Sequence, residues 1–134
     1  MKFLFSLLLA FSVFSVGYAQ KVEVCGSSCA NGIGSDGYIK KGSSSVGKIE
    51  SDGTIENTSN STLGYIKSNG TIENSSHSTV GYVKSDGTIE NSSHSTIGYV
   101  KSDGTVENSS HSTIGKVSGV KKEWVAVAFF FFKP

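Results

Sequence analysis

Three histidines are the first candidates for chemistry, because they recur at a fixed spacing in one sequence context. His77, His94 and His111 each follow a pair of serines, and 17 residues separate each histidine from the next. If a ring of equivalent units brought their imidazoles together, they would suit Zn²⁺ or Cu²⁺. The serine-rich context is typical of exposed loops that point away from one another, and Ser44 and Asn60 stand at this place in two related stretches upstream. The sequence therefore predicts no metal site, and a zinc site at these histidines remains a hypothesis for titration.

Aspartates and asparagines recur with the same period. The aspartates could be Ca²⁺ ligands, but each precedes a glycine, which predicts a turn in which the carboxylate caps the local backbone. The asparagines lie in Asn-x-Ser/Thr triplets, which accept glycans in a eukaryotic secretory pathway and otherwise indicate loops. The aspartates are Asp36, Asp52, Asp86 and Asp103, and the asparagines are Asn57, Asn60, Asn69, Asn74, Asn91 and Asn108.

No pattern typical of a catalytic centre occurs in the sequence, such as a nucleophile elbow, a metalloprotease helix motif or a phosphate-binding loop. A tandem array also duplicates its residues, whereas an active site needs different groups that converge at one point. The 12 basic and 11 acidic residues nearly balance, which argues against nucleic acid as a partner. We therefore predict a protein that is not an enzyme and that uses no cofactor.

All of these residues belong to a tandem repeat that must position them. Residues 47–63, 64–80, 81–97 and 98–114 are four copies of one 17-residue unit, and a diverged copy precedes them. A fixed period of this kind indicates one supersecondary unit that is stacked or arranged radially. Each copy carries a turn triplet, Ser-Asp-Gly or Ser-Asn-Gly. The five triplets end at Gly37, Gly53, Gly70, Gly87 and Gly104.

Each unit is predicted to form a β-hairpin, because Asp-Gly between short β-branched runs is a strong hairpin signal. A three-residue loop, with Gly87 in the left-handed conformation, pairs Val83 with Ile89 and places both on one face. A two-residue loop would instead mix apolar and polar residues on each face. Ile97 and Val100 have opposite parity along the strand, so we expect the glycine between them to bend it and let both face the core.

The N-terminal region predicts export. Residues 1–19 hold one lysine, an apolar run and a small residue at the end, which is typical of a signal peptide cleaved before Gln20. Residues 20–32 form a short segment with Cys25 and Cys29, a candidate disulfide because an exported chain meets oxidising conditions and the spacer is flexible. We expect the mature chain to be periplasmic, displayed on the cell surface or secreted.

Residues 121–134 follow the array and contain an apolar run. This run is too short to span a bilayer as a helix, which takes about 20 residues. One interpretation is a plug that fills the centre of a ring formed by residues 33–120, since each hairpin offers few apolar side chains. The other is a tail that contacts a membrane or a partner, because phenylalanines left exposed would form a large apolar patch. The aromatic residues of the run are Trp124, Phe129, Phe130, Phe131 and Phe132.

The chain resembles the Bacteroidetes five-fold β-flower family in three features. They are hairpins built on Gly-Tyr-Val-Lys-Ser-Asp-Gly-Thr-Ile-Glu-Asn, a signal peptide ending in Tyr18-Ala19-Gln20, and an apolar tail after the repeats. The resemblance implies an all-β fold of five tandem hairpin repeats, arranged as a shallow five-fold symmetric barrel with the C-terminal segment as its central plug. It implies no catalytic residue. The first copy lacks one loop residue and Asn69 replaces aspartate in the third turn, and neither change is expected to disturb the fold. A β-solenoid, with each unit as one coil, is the alternative fold.

Two functions from different classes fit these features. The first is an exported, non-enzymatic structural or interaction module that presents a repeated Ser/Thr/Asn/Tyr surface to a protein or a glycan at the cell envelope. The second is a small barrel that binds a lipid or another apolar ligand with its interior and its phenylalanine-rich segment. The two differ over the centre, because a segment that fills the barrel removes the pocket that the second requires.

Overall fold

The computed structural model describes residues 32–132, most of which are β-strand or tight turn. The predicted signal peptide and the candidate disulfide between Cys25 and Cys29 lie outside the described residues. Strands β1 to β11 are Gly32–Ile33, Tyr38–Lys41, Ser44–Ile49, Thr54–Asn57, Thr62–Ile66, Thr71–Asn74, Thr79–Val83, Thr88–Asn91, Thr96–Val100, Thr105–Asn108 and Thr113–Lys116. They are followed by helix α1, Lys122–Ala126, and by a π-helical segment, Val127–Phe131.

All the strands lie in a single sheet whose spatial order is their order along the chain. Each pairing from β1 to β11 is antiparallel, so the sheet is a succession of hairpins. The sheet curves into a nearly closed barrel, which confirms the all-β hairpin-repeat prediction. The β-solenoid alternative is wrong, because coils of a solenoid would place the strands of successive units in parallel.

The Asp-Gly turns have the predicted three-residue loop. Val83 lies opposite Ile89 in the β7–β8 pair. The Lys84 N–H donates to the Thr88 carbonyl oxygen at 2.8 Å, and the Gly87 N–H donates to the Lys84 carbonyl oxygen at 3.0 Å. Gly87 has a φ of 89°, in the left-handed region where glycine carries no steric cost. The bulged turn therefore puts the β-branched pair on the inner face.

The serine-rich stretch of each unit forms a second tight turn, which the sequence interpretation treated only as a connection. Between β8 and β9, the Asn91 N–H donates to the Ser95 carbonyl oxygen at 2.9 Å, and the His94 N–H donates to the Asn91 carbonyl oxygen at 3.0 Å. The Asn91 side-chain oxygen also accepts from the N–H groups of Ser93 and Ser95. Each full unit thus supplies two hairpin turns, one at each end of the barrel.

The first serine-rich turn is shorter, and this corrects one alignment made from the sequence. Ser44 pairs with Lys41 across the turn, as Ser95 does with Asn91 in the later unit. Ser44 is therefore the equivalent of Ser95, and the first turn has two residues, Gly42 and Ser43, where the later turns have three. Gly42 takes the left-handed conformation there, with a φ of 62°.

A β-bulge explains why Ile97 and Val100 can both face the core, although a regular strand would point them to opposite faces. Ile89 pairs with Gly98 and Glu90 pairs with Thr96, so Ile97 is an extra residue between two registers. Because a bulge turns its extra residue out of the normal alternation, Ile97 packs against the core on the same side as Val100.

The turn glycines also join each hairpin to the next. The Gly87 carbonyl oxygen accepts a hydrogen bond from the Val100 N–H at 2.8 Å, and a Cβ on Gly87 would collide with the Val100 carbonyl oxygen. Glycine is therefore required here both for its φ and for its lack of a side chain. The equivalent contacts are Gly37 with Ile49, Gly53 with Ile66, Gly70 with Val83 and Gly104 with Val117.

The C-terminal segment is the central plug of the barrel. Helix α1 contacts β7 and β9 on one side of the sheet and β1 at its first edge, and the π-helical segment also contacts β1. Within residues 32–132, no helix has the length and hydropathy needed to cross a membrane. The residues of the segment that are fully buried against the inner face of the sheet are Val125, Ala126, Val127 and Ala128.

The four phenylalanines of the plug each lie on a glycine of a different unit. A Cβ built on Gly98 would collide with the ring of Phe130, and the same holds at three further glycines. These glycines were expected to bend the strand. They also leave room for a phenyl ring and, at Gly47, Gly81 and Gly98, for a backbone carbonyl oxygen of the neighbouring strand. The pairs are Phe129 with Gly115, Phe130 with Gly98, Phe131 with Gly81 and Phe132 with Gly47.

The π-helical geometry explains how consecutive residues reach successive units. Five equivalent positions around a ring are separated by about 72°, whereas an α-helix turns by about 100° per residue. A π-helix turns less per residue, because its hydrogen bonds reach one residue farther. The Phe132 N–H accordingly donates to the Val127 carbonyl oxygen, five residues back, at 2.7 Å.

Candidate binding surface

The outer face of the sheet carries three side chains that recur together in three units. In the β7–β8 pair, Tyr82 lies opposite Glu90, on the face away from Val83 and Ile89. His94 lies in the serine-rich turn after β8 and returns to the same face. We call each such group a Tyr–His–Glu set. The three sets are Tyr65, His77 and Glu73, then Tyr82, His94 and Glu90, then Tyr99, His111 and Glu107.

The backbone of the turn places the histidine ring over the tyrosine ring. His94 has a φ of 62°, an uncommon conformation for a residue with a side chain. Its ring stacks on Tyr82 with centroids 4.4 Å apart and planes 11° apart. In the other two sets the centroids are 4.5 Å apart. The same flat pair of rings is therefore presented three times.

The glutamate of each set lies between a histidine and a lysine. In the middle set, Glu90 Oε2 is 3.1 Å from His94 Nδ1, and Glu90 Oε1 is 3.5 Å from Lys84 Nζ. The carboxylate contact fits an Nδ1–H that donates to the glutamate, which leaves Nε2 as the other polar atom of the ring. The glutamate thus fixes the orientation of the imidazole.

The third set shows the electrostatic effect of this arrangement. Hydrogen bonds from His111, and then from Lys101, hold the pKa of the Glu107 carboxyl below its ordinary value, and desolvation opposes the shift. Lys101 Nζ lies 3.1 Å from Glu107 Oε1. The carboxylate therefore stays ionised at neutral pH and keeps accepting from both partners.

The carboxylates are covered, whereas the imidazoles are open to solvent. The side chains of the three glutamates are 10–14% exposed, and those of the three histidines are 63–65% exposed. An exposed imidazole that is backed by a half-buried tyrosine ring can stack on the apolar face of a ligand and exchange hydrogen bonds with its polar groups. This surface is suited to binding.

The metal hypothesis for the three histidines finds no geometric support. Each of His77, His94 and His111 contacts the tyrosine and glutamate of its own unit. Among the described residues, 32–132, there is no group of three His, Cys, Asp or Glu side chains placed to bind a metal ion. Equivalent places in the ring do not converge, because the serine-rich turns point outward.

The aspartates and the asparagines that end a strand serve their own turns. Asp86 Oδ1 accepts from the Thr88 N–H at 2.9 Å, and Asn69 Oδ1 accepts from the Thr71 N–H at 3.0 Å in the equivalent turn. The strand-ending asparagines each accept from two N–H groups of the serine-rich turn. They are Asn57, Asn74, Asn91 and Asn108.

The aromatic residues of the plug are only partly buried, although they pack against the core. Trp124 lies at the start of the segment, with Lys121 Nζ 5.5 Å from the centroid of its ring. Phe129, Phe130, Phe131 and Phe132 lie over the glycines of the inner face. The plug therefore closes the barrel without being fully enclosed by it.

Sequence reasoning found the histidines but missed the tyrosines as their partners. In each set the tyrosine precedes the histidine by 12 residues, a spacing repeated at residues 65 and 77, 82 and 94, and 99 and 111. The first full unit breaks the pattern twice, with Lys48 and Asn60 at these places. Tyrosine and histidine therefore occur together in three units and are both missing from the first full unit. This shared occurrence could have indicated that the two rings contact each other.

A family model described as 5-fold beta-flower protein matches residues 19–133. Searches of curated proteins and of solved structures each found no match to this chain.

Proposed function

Because this chain belongs to the five-fold β-flower family, we propose that it is an exported, non-enzymatic interaction module that binds a glycan of repeating units. The observation that carries the proposal is the exposed His94 ring stacked on Tyr82, with its two equivalents on the same face. The sets lie on neighbouring hairpins, so they form one continuous surface.

The repetition of the sets favours a ligand that is itself repetitive. Successive sets are offset by two strand positions in the sheet, which corresponds to about 10 Å at the usual distance between neighbouring strands. A polysaccharide offers an apolar C–H face and hydroxyl groups at regular intervals. The stacked rings suit the first, while the imidazole edge and the neighbouring serine hydroxyls suit the second.

Two features support the non-enzymatic and exported parts of the proposal. The three sets hold identical groups, whereas catalysis needs different groups around one reacting atom. The apolar N-terminal sequence, residues 1–19, is typical of a signal peptide.

A barrel that uses its whole interior for a lipid is less well supported. That function requires an open centre, and Val125, Ala126, Val127 and Ala128 occupy the centre as buried residues. The outer face is therefore the better candidate for the main function.

The test is a glycan array, followed by titration calorimetry with any polysaccharide that binds. The informative variant is the triple substitution His77→Asn, His94→Asn and His111→Asn. It removes the stacked imidazoles but keeps the turns, because Asn60 already takes a φ of 58° at the equivalent place. We expect the variant to keep its melting temperature and to lose at least about 1.4 kcal/mol of binding free energy, a tenfold weaker affinity.

The matched control is Asp52→Asn, Asp86→Asn and Asp103→Asn, which changes three turns at the other end of the barrel. This control should bind as the wild type does. The proposal would be contradicted if the triple histidine variant bound the glycan as tightly as the wild type does. It would also be contradicted if the wild-type protein bound no glycan on the array.

A further inference from the structure

The plug supplies four phenylalanine rings to a ring of five equivalent glycines. The glycines at residues 47, 81, 98 and 115 each receive one ring. Gly64 is the fifth, and a Cβ built there would meet the backbone of Glu73 and Asn74 and no phenyl ring. One place on the inner face is thus built like the others but receives no aromatic ring from the plug.

The backbone conformation of the plug explains why Gly64 is the glycine that receives no phenyl ring. Phe131 ends the π-helical segment and lies on Gly81. Phe132 is extended, with a φ of −74° and a ψ of 117°, and lies on Gly47. The change from helical to extended backbone carries the chain past Gly64, which lies between these two units.

A cavity lies at this place. Its volume is ≈ 420 Å³, and its apolar lining includes Ile55, Leu63, Ile72, Val80, Phe131 and Phe132. Leu63 precedes Gly64 in β5, and Asn74, which pairs with Gly64, is also in the lining. The cavity therefore includes the surroundings of the missing fifth aromatic position and extends along the plug toward Asn91 and Ile97.

We propose that this cavity is a binding site for an uncharged small molecule that carries a single aromatic ring. The occupant is indicated by the four neighbouring places, where the same glycine and the same flanking aliphatic residues surround a phenyl group. The volume falls within the roughly 300–1,000 Å³ of ligand pockets, and an apolar cavity of about 150 Å³ is enough to hold benzene.

The polar residues at the cavity do not call for a charged ligand. Glu73 is paired with His77 at 3.1 Å and with Lys67 at 3.9 Å. The other polar residues of the lining are Asn74 and Asn91, and the side-chain oxygen of each accepts from two N–H groups of its own serine-rich turn. The ring itself is therefore the part of the ligand that the site recognises.

Fluorobenzene is a suitable probe, because ¹⁹F NMR reports its binding directly. We expect wild-type protein to bind one fluorobenzene per chain in a saturable titration. Leu63→Phe places a ring in the cavity and should weaken binding by at least roughly tenfold, whereas Leu63→Val leaves the space open and should keep the affinity within about threefold.

A second variant tests whether a glycine that has lost its phenyl ring binds the probe as the cavity at Gly64 does. Phe129→Ala empties the place at Gly115, which lies away from the cavity at Gly64. We expect this variant to bind two fluorobenzene molecules per chain and to gain more melting temperature from the probe than the wild type does.

Several outcomes would overturn the proposal. One is that the wild type shows no saturable binding of fluorobenzene, and another is that folded Leu63→Phe binds it as tightly as the wild type does. A third is a dimer that fluorobenzene does not disrupt, because a second copy of the chain would then occupy the cavity. If Leu63→Phe does not fold, the deciding measurement is magnetisation transfer from bound fluorobenzene to the methyl groups of Leu63 and Val80 in the wild type. Its absence would overturn the site.

The apolar lining of the cavity and the stacked rings of the outer surface are different residues, so the two proposals fail separately. Only Glu73 belongs to both, and Lys67 still pairs with it when His77 is replaced. The triple variant His77→Asn, His94→Asn and His111→Asn should bind fluorobenzene as the wild type does. Leu63→Phe should in turn leave glycan binding unchanged.

Discussion

The ring of Phe130 occupies the space that any side chain on Gly98 would need. Gly98→Ala should therefore lower the free energy of unfolding by about 1–3 kcal/mol, because overpacking forces the ring or the strand to move. Gly42→Asn is the control, since Gly42 has a φ of 62° and open space around it, and asparagine tolerates this conformation. Urea denaturation checks both variants, and an equal loss in the two would show that the phenyl ring is not the cause.

The turn glycines should matter more than the turn aspartates. Gly87→Val places a β-branched residue at a φ of 89° and against the Val100 carbonyl oxygen, so we expect a loss of about 2 kcal/mol or more. Asp86→Asn should change stability by less than about 0.5 kcal/mol, because Asn69 makes the same hydrogen bond in its own turn. Thermal melts of the two variants decide, and equal damage would contradict the assignment of this turn.

A chain that ends after Glu123 should not fold cooperatively. It lacks the buried Val125, Val127 and their neighbours as well as four phenylalanines. Burying one such side chain contributes roughly 1.5–3 kcal/mol, so the loss matches or exceeds the ~5–15 kcal/mol stability of a typical domain. Calorimetry of the truncated chain is the measurement.

The control for the truncation is a full-length chain with leucine in place of the four phenylalanines. It keeps an apolar plug and should melt cooperatively at a lower temperature. A sharp transition in the truncated chain would mean that the hairpins are stable alone and that the segment is a tail.

Stability should fall in acid. Backbone N–H groups hold the pKa of Asp52, Asp86 and Asp103 below the ordinary value of 3.8. A folded-state pKa below the unfolded value means that the stabilisation is complete above the unfolded pKa and is lost as pH falls through the folded one. The melting temperature should therefore decrease as pH falls through and below 3.8, the ordinary pKa of these carboxyls.

The triple variant Asp52→Asn, Asp86→Asn and Asp103→Asn is the control for the acid effect. Asparagine keeps the hydrogen-bond acceptor and does not titrate, so the melting temperature of this variant should depend less on pH. The remaining dependence would come from Glu107, whose pKa is also lowered. An identical pH profile for the variant and the wild type would exclude the aspartates as the cause.

The residue at the left-handed position of the serine-rich turn should be restricted by its backbone. His94→Asn should leave the melting temperature nearly unchanged, whereas His94→Val should lower stability by about 1–2 kcal/mol, since a β-branched residue resists a φ of 62°. Comparing the two by denaturation separates the role of the backbone from that of the imidazole, because both variants lose the stacked ring.

The register of the hairpins was predictable because it depends on local chemistry. The Asp-Gly turn and the β-branched residues Val83 and Ile89 both favour one pairing, and the structure has that pairing. The serine-rich stretch was expected to be turn-forming, but its role as a second hairpin turn was not predicted. Its left-handed residue is His94 and not glycine, and its capping group is the side chain of Asn91, three residues earlier.

The packing of the plug was harder to predict. That an apolar segment fills the centre follows from the hydrophobic effect, but the pairing of Phe130 with Gly98 joins residues far apart in sequence. It also depends on a π-helical turn, a rare backbone state with no clear sequence signal. The Tyr82–His94 stack likewise required the left-handed turn, which brings the imidazole back over the strand.

The position of the plug after the repeats sets the order in which the protein can be built during synthesis. Each hairpin contacts only its neighbours in the sheet, which favours rapid local pairing, yet a single hairpin is marginally stable in water. The hairpins are translated before the residues that fill their interior, so the barrel acquires its core in one late step. Duplication of one more 17-residue unit would lengthen the sheet while adding no ring to the plug, so it would leave a second place like the one at Gly64.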